Sequence, residues 1–249
     1  MTDLPPPTLD PLGHDLLRLL AEPGCPICAA VGQAVQRGLT TIADESITDP
    51  DARGELRAAL GFCAVHGQQW LEFGNALATA ILYHDLCGHL QRLLAQSDAA
   101  ADAGRSSRSQ WRSDTRSGRR LAQDLTPARA CPACDQARTT EGHALQACAA
   151  GLTQPAFRAA FVAHPLGLCL PHFRAVLPLL RDAAIMREDV QAQADRYAAT
   201  RAQLAEVIRK YDYRFVQEPK GDEFGAVSRS IGLVAGRLPT QLNLPADGE

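Results

Sequence analysis

Eight residues of this chain have the types and spacing of metal ligands. Cys25-Pro26-Ile27-Cys28 is followed by Gly61-Phe62-Cys63-Ala64-Val65-His66, and Cys131-Pro132-Ala133-Cys134 by Gly167-Leu168-Cys169-Leu170-Pro171-His172. Adding 106 to each ligand number of the first set gives the second, so two complete C-x-x-C…C-x-x-H sets share one register. Thiolate and imidazole are the donors that tetrahedral zinc takes, and three thiolates with one neutral imidazole leave no position for water. The chemistry read from these residues is therefore closed, structural metal binding, with two zinc ions per chain. Register groups the ligands as Cys25, Cys28, Cys63 and His66, and as Cys131, Cys134, Cys169 and His172. Exchange of ligands between the two copies stays open, because spacing alone sets that grouping. Three cysteines and a histidine also suit an iron–sulfur cluster, which is the alternative reading. A thioredoxin-like redox role for CPxC is disfavoured by the absence of a βαβ pattern around either motif.

Such sets need elements that aim two side chains at one point. A spacing of three fits a tight turn or the first turn of a helix, and proline after the first cysteine presets φ there. The surrounding pattern is helical throughout. Asp10-Pro11 and Asp49-Pro50 are helix starts. Apolar residues recur at three and four from Ile27 to about Ile47, and again after His66, where one long helix to about Gln96 is expected. After Cys134 the scheme repeats: a helix ending at Gly151, a short helix from Pro155, and a long helical region from His172 to about Tyr213, kinked or broken at Pro178. A last amphipathic helix is expected over about 222–235. The fold class is all-α: two homologous helical-bundle repeats, each pinned by a Cys3His site, plus a C-terminal helical extension. The expected divisions are 1–97, an Arg-rich linker at 98–128, a second repeat at 129–206, and a charged segment, helix and tail at 207–249.

Composition fits this. The 249 residues are 46% hydrophobic and 5% aromatic, enough for a core in each half and biased toward helix. The net charge of −3 argues against a chain that binds nucleic acid with its whole surface. No signal peptide and no transmembrane stretch is read, so a cytoplasmic protein without membrane attachment is expected. In a reducing compartment eight cysteines read as ligands rather than disulfides.

The signatures resemble those of an uncharacterised bacterial domain-of-unknown-function family with duplicated CPxC…G(F/L)CxxH repeats. The resemblance covers most of the chain, including Ala80-Ile81-Leu82-Tyr83 and a closing segment at Ile208–Phe215 with Glu218, Gly221 and Glu223. It implies two metal sites on a helical scaffold and supplies no activity to carry over.

Other candidates are fewer. Arg105, Arg108, Arg112, Arg116, Arg119 and Arg120 form the one strongly basic stretch, which could contact nucleic-acid phosphates. Lys210, Asp212, Arg214, Glu218 and Glu223 are the densest charged set outside it, read as a salt-bridged clamp or as a partner or substrate contact. His84, Asp85 and His89 cluster on one helix. Cys87 and Cys148 read as apolar packing, and His14, His143 and His164 carry no signal. No nucleotide-binding glycine loop and no Ser/His/Asp hydrolase motif is recognisable. The leading expectation is a non-catalytic zinc-binding interaction or scaffold protein, with a protein partner or self-association. A nucleic-acid-associated factor or an iron–sulfur protein is the alternative.

Overall fold

The computed structural model describes residues 9–72, 75–103 and 118–236, with side chains for all of these except 96–103. Among the described residues every regular element is a helix and none is a strand. In chain order the helices are α1 (Pro11–Leu19), α2 (Pro26–Asp44), α3 (Pro50–Ala58), α4 (Ala64–Glu72), α5 (Ala76–Ala103), α6 (118–124), α7 (Pro132–Gly151), α8 (Pro155–Ala163), α9 (Leu170–Val176), α10 (Ala183–Lys210) and α11 (Gly225–Ala235). Short 3₁₀ turns, Leu177–Leu179 and Asp222–Phe224, follow α9 and precede α11.

Local chemistry sets the boundaries. Asp10 accepts from the Gly13 N–H at 2.6 Å and Asp49 from the Asp51 N–H at 3.0 Å, each with proline at the first helical position. The single helix expected from His66 to Gln96 is instead two, α4 and α5. Asn75 makes the break: its carboxamide oxygen accepts from the Ala78 N–H at 2.9 Å, and its carbonyl starts the new ladder to Thr79. The Trp70 indole then donates to Thr79 Oγ1 at 2.9 Å, tying α4 to α5. The second long region is divided in the same place. Pro178 falls in the 3₁₀ turn, and Asp182 caps α10 through the Ala184 N–H at 2.7 Å. The expected linker 98–128 is helical at 98–103 and at 118–124.

The chain forms two compact units. One comprises Met1–Ala34 with Arg138–Glu249, the other Val35–Ala137. The boundary falls inside α2 and inside α7, so each CPxC helix begins in one unit and continues into the other. The first unit is built on Leu16, Ile27, Cys148, Phe157, Phe161 and Leu168, all fully buried. The second is built on Val35, Leu39, Leu56, Trp70 and Leu82. No helix among the described residues is long and apolar enough to cross a membrane.

Candidate metal centres

All four C-x-x-C and C-x-x-H pairs share one local geometry. Cys25, Cys63, Cys131 and Cys169 each immediately precede a helix and supply its first acceptor carbonyl, to Ala29, Gly67, Asp135 and Phe173 at 2.7–3.1 Å. Their partners Cys28, His66, Cys134 and His172 are the third helical residue. These are the N-cap and N3 positions, the two that a capping box links reciprocally through their backbone N–H groups. A spacing of three therefore brings two donors together without distorting the backbone. It also places each pair at the positive end of a helix, which favours thiolate over thiol. Gly61 (φ 101°) and Gly167 (φ 65°) make the left-handed turns that deliver Cys63 and Cys169.

The structure groups the eight ligands crosswise. One set is Cys25, Cys28, Cys169 and His172; the other is Cys63, His66, Cys131 and Cys134. The grouping by register, one site within each copy, does not hold: each site joins the CPxC of one copy to the CxxH of the other. The physical reason lies in α2 and α7. The N-terminal turns of α2 belong to the unit that holds 138–249, and those of α7 to the unit that holds 35–137. A matched pair of contacts repeats the crossing. His164 Nε2 lies 3.0 Å from the Glu22 carbonyl oxygen, and the Ala128 N–H donates to the Ala58 carbonyl at 2.8 Å. In each, the residue three before a CPxC is joined to the residue five before the other copy's CxxH.

Within each set the donor atoms lie within 4.8 Å of one another. In the first site Cys28 Sγ is 3.7 Å from Cys169 Sγ, and His172 Nδ1 is 3.3, 3.4 and 3.1 Å from the sulfurs of Cys25, Cys28 and Cys169. In the second, Cys63 Sγ is 3.6 Å from Cys134 Sγ, and His66 Nδ1 is 3.2, 3.6 and 3.3 Å from Cys63, Cys131 and Cys134. A tetrahedral ion with bonds of about 2.3 Å to sulfur and about 2.0 Å to nitrogen spaces its donors about 3.5–3.8 Å apart. A disulfide needs about 2.05 Å, and none joins any of the eight cysteines. The donor sets thus fit one metal ion each. Burial pushes the Cys25 thiol well above its ordinary range, and burial with the neighbouring Cys63 and Cys131 sulfurs pushes Cys134 up to about 12. A bound cation would deprotonate these two thiols, which burial otherwise keeps neutral.

Residues outside the ligand sets hold the first site. Glu141 Oε1 accepts from His172 Nε2–H at 3.1 Å, which leaves Nδ1 as the nitrogen able to take a metal ion. His164 is buried, and burial lowers its pKa. Its Nδ1 accepts from the N–H groups of Leu166 and Gly167 at 3.1 and 2.7 Å, which assigns the proton to Nε2 and makes that nitrogen the donor to Glu22. On α10 the buried Gln193 donates to the Leu168 carbonyl at 3.0 Å. The buried Arg196 donates to the carbonyls of Phe161, Val162 and His164, closing the C-terminal end of α8. These residues shape the turn that presents Cys169. Motif and spacing give His164 no signal and do not single out Gln193 or Arg196. The signal available is a comparison of the two copies at the CxxH turn, where His164 stands against Ala58 and Gln193 against an apolar residue.

The remaining candidates divide. Lys210 pairs with Glu223 at 2.7 Å, Arg214 with Asp212 at 2.7 Å, and Glu218 with Arg209, which also holds Glu206 and stacks on Phe215. The charged set is thus a brace for 209–223, with Arg209 at its hub. Lys210 and the Gly221 N–H hold the Glu223 carboxyl down at about 2. Arg119 and Arg120 are exposed on α6; Arg105, Arg108, Arg112 and Arg116 lie outside the described residues. Asp85 pairs with Arg57 at 2.6 Å. Cys148 is fully buried as expected, whereas Cys87 is exposed.

A model of the family of unknown function DUF6062 matches residues 18–241, and the chain belongs to that family. No curated protein and no solved structure matches it.

Proposed function

We propose that this protein is a zinc-binding scaffold: two zinc ions fix the helical framework, and the framework presents a surface to a protein partner. The observation that carries the reading is the pair of closed Cys3His donor sets at tetrahedral spacing. Zinc is supported over an iron–sulfur cluster because a cluster spreads its ligands over two or more irons, whereas here all four donors of each set lie within 4.8 Å. A non-catalytic role is supported by the completeness of each set, since catalytic zinc keeps a position for water. The partner surface is supported by the C-terminal segment of the first unit. Tyr211, Tyr213 and Val216 stand 71%, 85% and 59% exposed. They stand on a loop braced by the Arg209 and Lys210 ion pairs. Exposed aromatics are the usual anchors of protein interfaces.

The test is metal content and an absorption spectrum of anaerobically purified protein. Two zinc ions per chain and no colour are expected. Iron with visible absorption, or no metal, would overturn the reading.

A further inference from the structure

The two metal sites are built alike at the ligands and unlike around them. By the repeat offset of 106, Glu141 corresponds to Val35, which is 1% exposed and part of the apolar core. His172 thus has a carboxylate on Nε2, while among the described residues no carboxylate meets His66. The helices that follow, α5 and α10, are both 28 residues long and start one residue further out of register. Leu86 therefore corresponds to Gln193. The glycine turns bear this out. A Cβ on Gly61 would meet Leu86 Cδ2 at 3.1 Å, and one on Gly167 would meet Gln193 Oε1 at 2.7 Å and Arg196 Nη1 at 2.6 Å. His164 corresponds to Ala58. One CxxH turn is held by a cage of buried polar side chains, and the other by backbone hydrogen bonds such as Ala128 to Ala58 and an apolar side-chain contact.

Access differs in the same sense. Cys28 and its counterpart Cys134 are alike half-buried, so the difference lies at the CxxH turns. Cys169 is fully buried, and its counterpart Cys63 is half-buried; the flanking Leu168 is buried where Phe62 is half-buried. Gly236, at the end of α11, closes over the first site, where a Cβ would lie 3.2 Å from Cys169 Sγ and 3.3 Å from Cys28 Sγ.

We infer that the sites are functionally unequal: Cys25/Cys28/Cys169/His172 holds its zinc permanently, and Cys63/His66/Cys131/Cys134 is an exchangeable zinc site. The inference rests on the zinc reading and deepens it. Outer-sphere partners of a ligating histidine raise its basicity and fix its orientation, and their loss costs about 10–100-fold in metal affinity. Exchange needs an incoming ligand to reach the ion, which the half-buried Cys63 and Cys134 permit. In that exchange the competing chelator takes the zinc ion and the freed thiolates take up protons.

The experiment is zinc transfer from the full chain to a chromogenic chelator, 4-(2-pyridylazo)resorcinol, with iodoacetamide labelling mapped by mass spectrometry along the time course. Two phases of one zinc each are expected, the fast phase at least about 10-fold quicker, with Cys63 and Cys134 labelled in step with it. Glu141→Val, which copies the other site, should accelerate the slow phase alone by about 10–100-fold. Glu141→Gln keeps an acceptor for Nε2–H and should restore most of the slow rate. One phase for both ions would overturn the inference, as would early labelling of Cys28 and Cys169 or a slow phase untouched by Glu141→Val. Protein that carries two zinc ions released together leaves the scaffold reading standing; protein that carries none sinks both.

Discussion

Cys28 Sγ lies 3.7 Å from Cys169 Sγ across 141 residues of chain. Each donor set therefore joins the C-x-x-C of one signature to the C-x-x-H of the other, and the two sets cut across the sequence register. Serine substitutions should show this. Cys28→Ser with Cys169→Ser removes two donors from one ion, so one zinc should remain per chain. Cys28→Ser with Cys63→Ser damages both sites and should leave none tightly bound. Metal analysis of the two double variants is the check.

The Gly167 turn should tolerate no side chain. A Cβ there falls on buried Arg196 and Gln193, and φ is 65°. Gly167→Ala should destabilise the protein by about 2–4 kcal/mol. Gly142, inside α7 with open space where a methyl would stand, gives the opposite case. Gly142→Ala should stabilise by up to about 1 kcal/mol. Paired chemical denaturation curves measure both.

His164 should make stability depend on pH below neutrality. Burial holds its folded pKa below the ordinary 6.5, so the unfolded chain binds the proton more readily. The stabilisation is complete above about pH 6.5 and is lost as pH falls through the folded value. His164→Ala should cost about 2–3 kcal/mol at pH 8, because the Gly167 N–H and the Glu22 carbonyl lose their partner. The penalty should shrink toward pH 5, as seen in denaturation midpoints across that range.

Asp189 acts with the opposite sign. It is 1% exposed, neither carboxylate oxygen has a hydrogen-bond partner among the described residues, and burial with the nearby Glu188 raises its pKa to about 6. The native state binds the proton more tightly than the unfolded chain, so this group weakens the fold as pH rises from about 4 past 6. The same position in the other copy is Leu82, which is buried in an apolar core. Asp189→Leu should therefore stabilise by on the order of 1–3 kcal/mol at pH 8 and by less at pH 5.

What the sequence makes legible here is what is local. The proline starts at Pro11 and Pro50 and the Asp10 and Asp49 caps are set by neighbours within four residues, and they stand as expected; the eight candidate donors gather into two clusters. The break at Asn75 is hidden because a good apolar stripe runs on both sides of it, and a capping carboxamide outweighs that periodicity. The crossed pairing cannot be read at all. Both groupings use the same residues at the same spacings, and the choice between them is made by which unit each CPxC turn packs into. The Gln193 and Arg196 cage is hidden for a related reason: polar residues on a long helix read as a solvated face until the carbonyls they serve, far away in the chain, are known.

The most direct measurement is a ¹H–¹¹³Cd correlation spectrum of the cadmium-substituted chain, which links each ion to the β-protons of its own cysteines. Crossed sites predict one ion correlated with Cys25, Cys28 and Cys169 and a second with Cys63, Cys131 and Cys134. An ion correlated with Cys25, Cys28 and Cys63 would contradict them.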